Sequence, residues 1–412
     1  MEIWEDRLIN GVLKTGLISD PREAARLLAS DIEIVADPIR ASADLWPCVW
    51  ATAAILGRQL RGRVFVRCGL TQPLPAPAAL PARCEFVTGP RGAALSVGIG
   101  VGSFDRHEIW GDSGGNLVSF RKTVPSREPA NPISAFALAG YLGYAALASI
   151  VGVPAFREEF ALSALSLPIP AVPSGFVSEG LTFIGSGQLG QAYLALLFFL
   201  RAQIRPSTIV LVDKESFETP NRSTQILLGP GRRWVGRGKA AFLAKHFKTL
   251  GWNITGEKTE LTWQWKKPAH HPTIAVLGLD GLEVRRIAVS AGYDWFIDAG
   301  VGTSLLQPRI SWHSFPPDRR LAEALFPPET VQGSQETFDE NSKLAQSLKK
   351  TPGECGWVTF KGIRATAPSM GIVAAAYAWC LILEVLSGER SKRQGRACLW
   401  SPLLPYMLEP IG

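Results

Sequence analysis

Apolar residues fall into two kinds of run along this sequence. Short runs bounded by Gly, Pro or charge read as buried strands: RVFVRC at 63–68, ALSVGI at 94–99, LTFI at 181–184, TIVLV at 208–212, TIAVL at 273–277 and WFID at 295–298. Longer runs read as helices over 46–60, 134–151, 188–201, 239–250 and 368–386. Those at 188–201 and 368–386 are apolar nearly all round, which predicts burial on every face. Beyond residue 180 strands and helices alternate, so the expected fold is α/β with a parallel-rich sheet covered on both faces. Residues 164–179 (ALSLPIPAVPSGFVSE) hold three prolines and read as an extended linker. They divide the chain into an N-terminal α/β domain at 1–163 and a second domain at 180–412. Residues 316–352 are polar and broken, with one helical stretch at 341–349, and long irregular segments of this kind often carry function.

Two segments resemble each other. Residues 130–152 read ANPISAFALAGYLGYAALASIVG and residues 365–388 read ATAPSMGIVAAAYAWCLILEVLSG. Each is a Pro, an Ala-rich apolar helix and a Gly, so the two halves are expected to be related folds. The N-terminal GIGVG at 98–102 lacks a helix-opening third Gly, and only the second half is expected to hold a nucleotide. The uncharged run at 130–156 is long enough to span a bilayer. Its Asn131, Pro132 and Pro154, and the lack of a basic flank, favour a buried helix, and no membrane association is expected.

The 412 residues suit two domains, and 46% hydrophobic with 19% charged residues marks a globular chain. The net charge of +7 allows an acidic partner, but Lys and Arg form no long block, which speaks against a nucleic-acid partner. None of the six cysteines forms a C-x-x-C pair, so no structural zinc is expected. The start is mixed and charged, which reads as free of a secretory signal and points to free thiols in the cytoplasm.

The sharpest chemical signal is Gly185-Ser186-Gly187-Gln188-Leu189-Gly190, a G-x-G-x-x-G that follows a strand and opens a helix. The first Gly permits a tight turn, the second lets the backbone approach phosphate, and the helix N-terminus offers unpaired N–H groups. Asp213 ends the next strand, placed to accept from ribose hydroxyls. The loop alone does not separate ATP from a nicotinamide dinucleotide. The following residues do: Asn221-Arg222 with Gln225, then Gly236 and Lys239, then Asp280 after a later strand. Cations beside a triphosphate and a carboxylate for Mg²⁺ are what adenylation requires, and a dehydrogenase has no use for them.

These elements, in this order over 181–387, resemble the ThiF/MoeB/ubiquitin-activating enzyme superfamily. The resemblance implies a Rossmann-like adenylation domain at 180–412, with a crossover segment at about 316–357. It implies ATP bound by Gly185, Gly187, Gly190, Asp213, Asn221, Arg222, Gln225 and Lys239, and Mg²⁺ held by Asp280. Arg285 matches a family Arg of structural character. The sequence departs from the pattern at Gly281, where the family often has Asn, and at Ser223-Thr224, which stretch the box before Gln225. It also implies that the first half is a degenerate, inactive adenylation fold. The partners implied are a ubiquitin-like protein with a free C-terminal Gly and a conjugating enzyme, with a homodimer as a further possibility.

A second step, transfer of the acyl group to a thiol, needs a reachable thiolate in a polar segment. Cys355, in Pro352-Gly353-Glu354-Cys355-Gly356, is the first candidate, and Cys398, after Lys392, Arg393 and Arg396, is the second. Cys48, Cys68 and Cys380 fall in apolar patterns. Three alternatives stay open: adenylation without a thioester, a nicotinamide-dependent dehydrogenase, and a non-catalytic scaffold.

Overall fold

The computed structural model describes residues 7–100, 109–121, 128–152, 162–166, 168–171, 175–302, 308–327, 367–399 and 406–410. The first half builds a seven-stranded sheet from β1 (Ile32–Ala36), β2 (Val64–Arg67), β3 (Cys84–Phe86), β4 (Leu95–Ile99), β5 (Ile109–Gly114), β6 (Leu117–Phe120) and β7 (Leu162–Ser166). Its spatial order is β3-β2-β1-β4-β5-β6-β7. The strands from β3 to β5 run parallel, and β6 and β7 are added antiparallel. The helices of this half are α1 (Arg7–Lys14), α2 (Pro21–Leu27), α3 (Pro38–Ala41), α4 (Trp46–Gln59) and α5 (Pro132–Val151).

The second half repeats this plan. Its strands are β8 (Phe176–Ser178), β9 (Leu181–Ile184), β10 (Ile204–Pro206), β11 (Ile209–Val212), β12 (Ile254–Glu257), β13 (Ile274–Leu277), β14 (Trp295–Val301), β15 (Arg309–Phe315), β16 (Arg393–Cys398) and β17 (Tyr406–Pro410). β8 and β10 pair with each other, and the rest form an eight-stranded sheet in the order β12-β11-β9-β13-β14-β15-β16-β17. Leaving out β17, this is the first sheet again, strand for strand. The first strand in the chain is central, the second and third lie to one side, and the fourth to seventh lie to the other. The directions also agree, with the last two strands antiparallel in both sheets. The helices here are α6 (Gln188–Phe199), α7 (Lys239–Thr249), α8 (Leu282–Val289), α9 (Arg319–Leu325) and α10 (Pro368–Leu386). α4 and α6 follow the first strand of the two large sheets, and α5 and α10 lie between the sixth strand and the seventh of those sheets. The likeness of the two Ala-rich segments thus reflects equal places in two copies of one topology. Where the second copy has α7, the first has residues 68–83, whose Pro73, Pro75, Pro77 and Pro81 are incompatible with a helix.

α4, α5, α6 and α10 meet face to face between the two sheets, and one apolar core runs through both halves. This explains why α5 and α10 are apolar on all sides although each is long enough to cross a membrane: their most apolar stretches are 89% and 100% buried. α5 starts cleanly, since Asn131 caps it by accepting from Ile133 N–H and Pro132 fits the first turn. Close helix contact depends on Gly140, where a Cβ would lie 2.4 Å from Val373 Cγ2 and 2.8 Å from Ser369 O. Trp50 of α4 packs against Phe199 of α6, and Gln59 Nε2 donates to Ser369 Oγ at 3.0 Å. Gly140→Leu is expected to destabilise the fold by at least about 1–3 kcal/mol, because a helix backbone cannot yield as a side chain does. Thermal unfolding measures it.

The linker reading of residues 164–179 needs correction. β7 ends in it and closes the first sheet, and β8 lies inside it. Prolines mark the stretch between these strands, but the strand pairings are long-range and leave little local signal. The polar stretch from Pro316 likewise contains α9 before residue 327, capped by Asp318. The helical stretch expected at 341–349 lies outside the described residues, as does most of the crossover segment.

Candidate active site

The chain leaves β9 toward β11 on one side, and β13 lies on the other. The crevice at the carboxyl ends of β9 and β13 is therefore a topological switch point, where open α/β sheets take their ligands. Three glycines shape its floor. Gly185 has a φ of +94°, and a Cβ there would lie 2.5 Å from Gly278 O. A Cβ on Gly190 would lie 2.1 Å from Gly185 O. At Gly187, the N-cap of α6, a Cβ would meet nothing within 4 Å. The outer two glycines close the turn, and the middle one leaves open space over the helix N-terminus. Ser186, between them, is buried with its Oγ unpartnered.

Asp213 follows β11 and binds this loop. Its Oδ2 accepts from Ser186 N–H at 2.6 Å and its Oδ1 from Glu215 N–H at 2.7 Å. Burial pushes its pKa up, and these two N–H groups act against that shift. The residue expected to face a ribose thus also holds the Gly-rich loop, and its remaining lone pairs are compatible with both duties. Gln191 of α6 makes a second link. Its Nε2 donates to Gln225 Oε1 at 2.7 Å and to Ser186 O at 3.4 Å, while its Oε1 accepts from Leu227 N–H at 2.9 Å.

The Asn221 box forms a 3₁₀ turn, Thr219–Ser223. Asn221 is 1% exposed and its Oδ1 accepts from Glu218 N–H at 2.8 Å, so it shapes the turn. Gln225 is equally buried, and its carbonyl serves the Gln191 link. Arg222, between them, is exposed. Lys239 opens α7 and is 4% exposed, with Nζ paired to Glu215. Asp280 is exposed, just before Gly281, the N-cap of α8. Arg285 is buried and fixes the loop that carries Asp280. Its Nε and Nη2 donate to Leu279 O at 3.1 and 2.7 Å, and its Nη1 pairs with Asp298 Oδ2 at 3.0 Å. Asp298 is fully buried. Arg285→Ala leaves that carboxylate with His313 Nδ1, at 3.2 Å, in place of its guanidinium partner, an expected loss of about 3 kcal/mol readable by denaturant unfolding.

One residue of the first half approaches this site unannounced by the sequence reading. Arg58, the only charged residue of α4, is 7% exposed, and its Nε and Nη2 have no partner. Burial, and then the nearby charge of Arg222, pull its pKa down to about 10. A lone Arg in an apolar helix was the available signal. Residues of α4 also lie against the Arg222 turn.

Cys355 lies outside the described residues. Cys398 ends β16, and its side chain is likewise outside them. Among the described cysteines, Cys48, Cys68 and Cys380 are buried and burial raises their thiol pKa, while Cys84 is pushed up to about 12. None of these four has the character of a nucleophile at neutral pH.

The glycine loop, the Arg222 turn and Asp280 all lie in the stretch at 177–389 that matches the model for the BilD C-terminal domain, just over half of the chain. The chain belongs to the BilD C-terminal domain family. A relative from Collimonas sp. (strain OK412), described as bacterial E1-like protein BilD, is 26% identical over 219 residues. That similarity takes in 52% of this chain and 46% of the relative, so the chain matches less than half the relative's length. The BilD segment includes Cys355, and Arg58 lies before it.

Proposed function

We propose that this chain uses ATP to adenylate the C-terminal carboxylate of a ubiquitin-like protein, and then takes the acyl group on Cys355 as a thioester. The reading makes the chain a ThiF/MoeB-type adenylating enzyme, in keeping with the E1-like description of its BilD relative. The observation that carries it is the bonding of the Gly-rich loop to the Arg222-bearing turn through Gln191 and Gln225. A dehydrogenase needs the loop and Asp213 but has no use for that turn. The open space at Gly187, the unpartnered Ser186 Oγ and the cationic Arg222 fit a polyphosphate.

In the first step a carboxylate oxygen of the carrier attacks the α-phosphorus of ATP. A new O–P bond forms, the bond to the bridging oxygen breaks, and pyrophosphate leaves. Attack by a carboxylate needs no general base. Arg222, Lys239 and Arg58 offset the charge that builds on the leaving phosphates. Lys239 is held ready by Glu215, whose carboxylate it shares or leaves when phosphate arrives. Asp280 would hold magnesium through a hard oxygen ligand, and the ion would supply positive charge against that of the phosphates. In the second step the Cys355 thiolate attacks the acyl carbon, a C–S bond forms, and AMP leaves with the C–O electron pair.

AMP release in the presence of the carrier tests the assignment. Lys239→Ala and Asp280→Asn are each expected to lower it by about 100-fold or more while circular dichroism stays native. Full activity in both variants would overturn the roles given to these residues.

A further inference from the structure

Glu257, His270 and His271 stand together outside the crevice. Glu257 ends β12, the edge strand of the second sheet, and its carbonyl accepts from Asp213 N–H at 3.1 Å. The chain then runs through residues 258–273 and returns as β13, with the two histidines near the end of that connection. Glu257 Oε1 lies 2.9 Å from His270 Nε2 and 3.0 Å from His271 Nε2. One donor atom from each of the three residues lies within 4.8 Å of the other two.

The surroundings of His271 accommodate a tautomer with the proton on Nδ1. Its side chain is fully buried, and its Nδ1 lies 3.1 Å from Tyr293 Oη. The Tyr293 hydroxyl is hydrogen-bonded to Thr182, whose Oγ1 donates to Pro272 O at 3.4 Å. With that proton in place, the donors run from His271 Nδ1–H to Tyr293, to Thr182, to the Pro272 carbonyl. In the neutral ring this leaves a lone pair on Nε2, aimed at a carboxylate oxygen. In that arrangement the two acceptors, 3.0 Å apart, need a cation between them, either a proton or a metal ion. His270 aims the same ring nitrogen at the same oxygen.

We propose that Glu257, His270 and His271 bind a zinc ion through the carboxylate and the two Nε2 atoms, with water completing a tetrahedron. Two histidines and a glutamate are a recurrent zinc set, and the Nδ1–H bond to Tyr293 is the outer contact that orients such a ligand. Zinc bonds of about 2.0–2.2 Å place tetrahedral ligand atoms roughly 3.4 Å apart, so Glu257 Oε1, now 2.9 and 3.0 Å from the two ring nitrogens, moves slightly away from them as the ion enters. His270, exposed at the surface, is the one free to move. The absence of C-x-x-C pairs removes only cysteine-ligated zinc. The ion would pin residues 258–273 to the end of β12, one strand away from Asp213, as a clasp on the outer wall of the crevice.

Zinc titration of the full chain, stripped with chelator, tests this by calorimetry. One equivalent is expected to bind with a Kd in the micromolar range or tighter. Glu257→Gln and His271→Ala are each expected to weaken it by about 100-fold or more. His270→Ala, a surface change that spares the fold, is expected to do the same and to abolish the rise in Tm that zinc gives the wild type. Cobalt in place of zinc is expected to show visible d–d absorption without a thiolate charge-transfer band. No saturable binding, binding unchanged by His270→Ala, or a thiolate band would overturn the proposal; the first result would leave a proton as the cation between Glu257 and His271.

Discussion

Replacing Cys355 with Ala is expected to leave ATP–pyrophosphate exchange largely intact and to abolish the thiol-sensitive adduct between the chain and its ubiquitin-like protein. Adenylation is complete before a thiol is used, so the first half-reaction has no need of sulfur. The expectation also rests on elimination. Cys48, Cys68, Cys84 and Cys380 are described, and burial raises each thiol pKa, which keeps these groups protonated at neutral pH. Cys355 and Cys398 are left. A non-reducing gel of wild type, Cys355→Ala and Cys398→Ala with Mg·ATP and carrier separates them. An adduct that survives in Cys355→Ala and fails in Cys398→Ala would move the nucleophile to β16. Adduct in neither wild type nor variants, with AMP still released, would mean adenylation without a thioester.

Arg58→Met is expected to lower AMP formation by about 100-fold while thermal stability holds or rises. The guanidinium is almost wholly buried, two of its nitrogens have no partner, and Arg222 adds a like charge nearby. A buried cation with no counter-charge is destabilising, and an apolar side chain of similar volume can relieve about 1–4 kcal/mol. Such a cost persists where function needs the charge. An anionic group held between Arg58 and Arg222 would satisfy both. A residue that merely packed would show the opposite pattern, with activity kept and Tm lowered. The KM for ATP separates the outcomes further: loss of a contact made equally with bound ATP raises KM, whereas loss of one made only as charge develops lowers kcat.

The strands that carry the crevice could be read locally because each is a short, mainly apolar run between turn residues. Leu181–Ile184 and Pro368–Leu386 have the same ends in the sequence reading and in the structure. The parallel order of the second half followed from its alternating elements. β1, whose IEIVA holds Glu33 in the run, and β15, with Ser and His among its apolar residues, escaped notice. Both are held by neighbours far away in sequence, and no local pattern reports such pairing. The same holds for the site. The glycines and Asp213 announce themselves by spacing. The inward engagement of Asn221 and Gln225 does not, because it depends on Gln191 and Glu218 meeting them in space. Arg58 is hidden for the same reason, since only the packing of one half on the other brings α4 to the Arg222 turn. The repeat of one topology in both halves was visible at its two longest helices and nowhere else. The loop after β1 shows why: Asp37 and Pro38 begin a short helix where the second half has its glycines, and Arg40 there is paired with Asp44 and Asp112.

The central claim is that the crevice at Gly185, Asp213 and Arg222 activates a carboxylate with ATP. Exchange of labelled pyrophosphate into ATP, with and without a ubiquitin-like protein ending in a free Gly, tests it most directly, because exchange requires a reversible acyl-adenylate and nothing later. The account predicts exchange that depends on the carrier's free C-terminus and falls by about 100-fold or more in Arg222→Ala. Tight binding of a nicotinamide dinucleotide, with no exchange in the presence of a carrier encoded beside this chain, would contradict it.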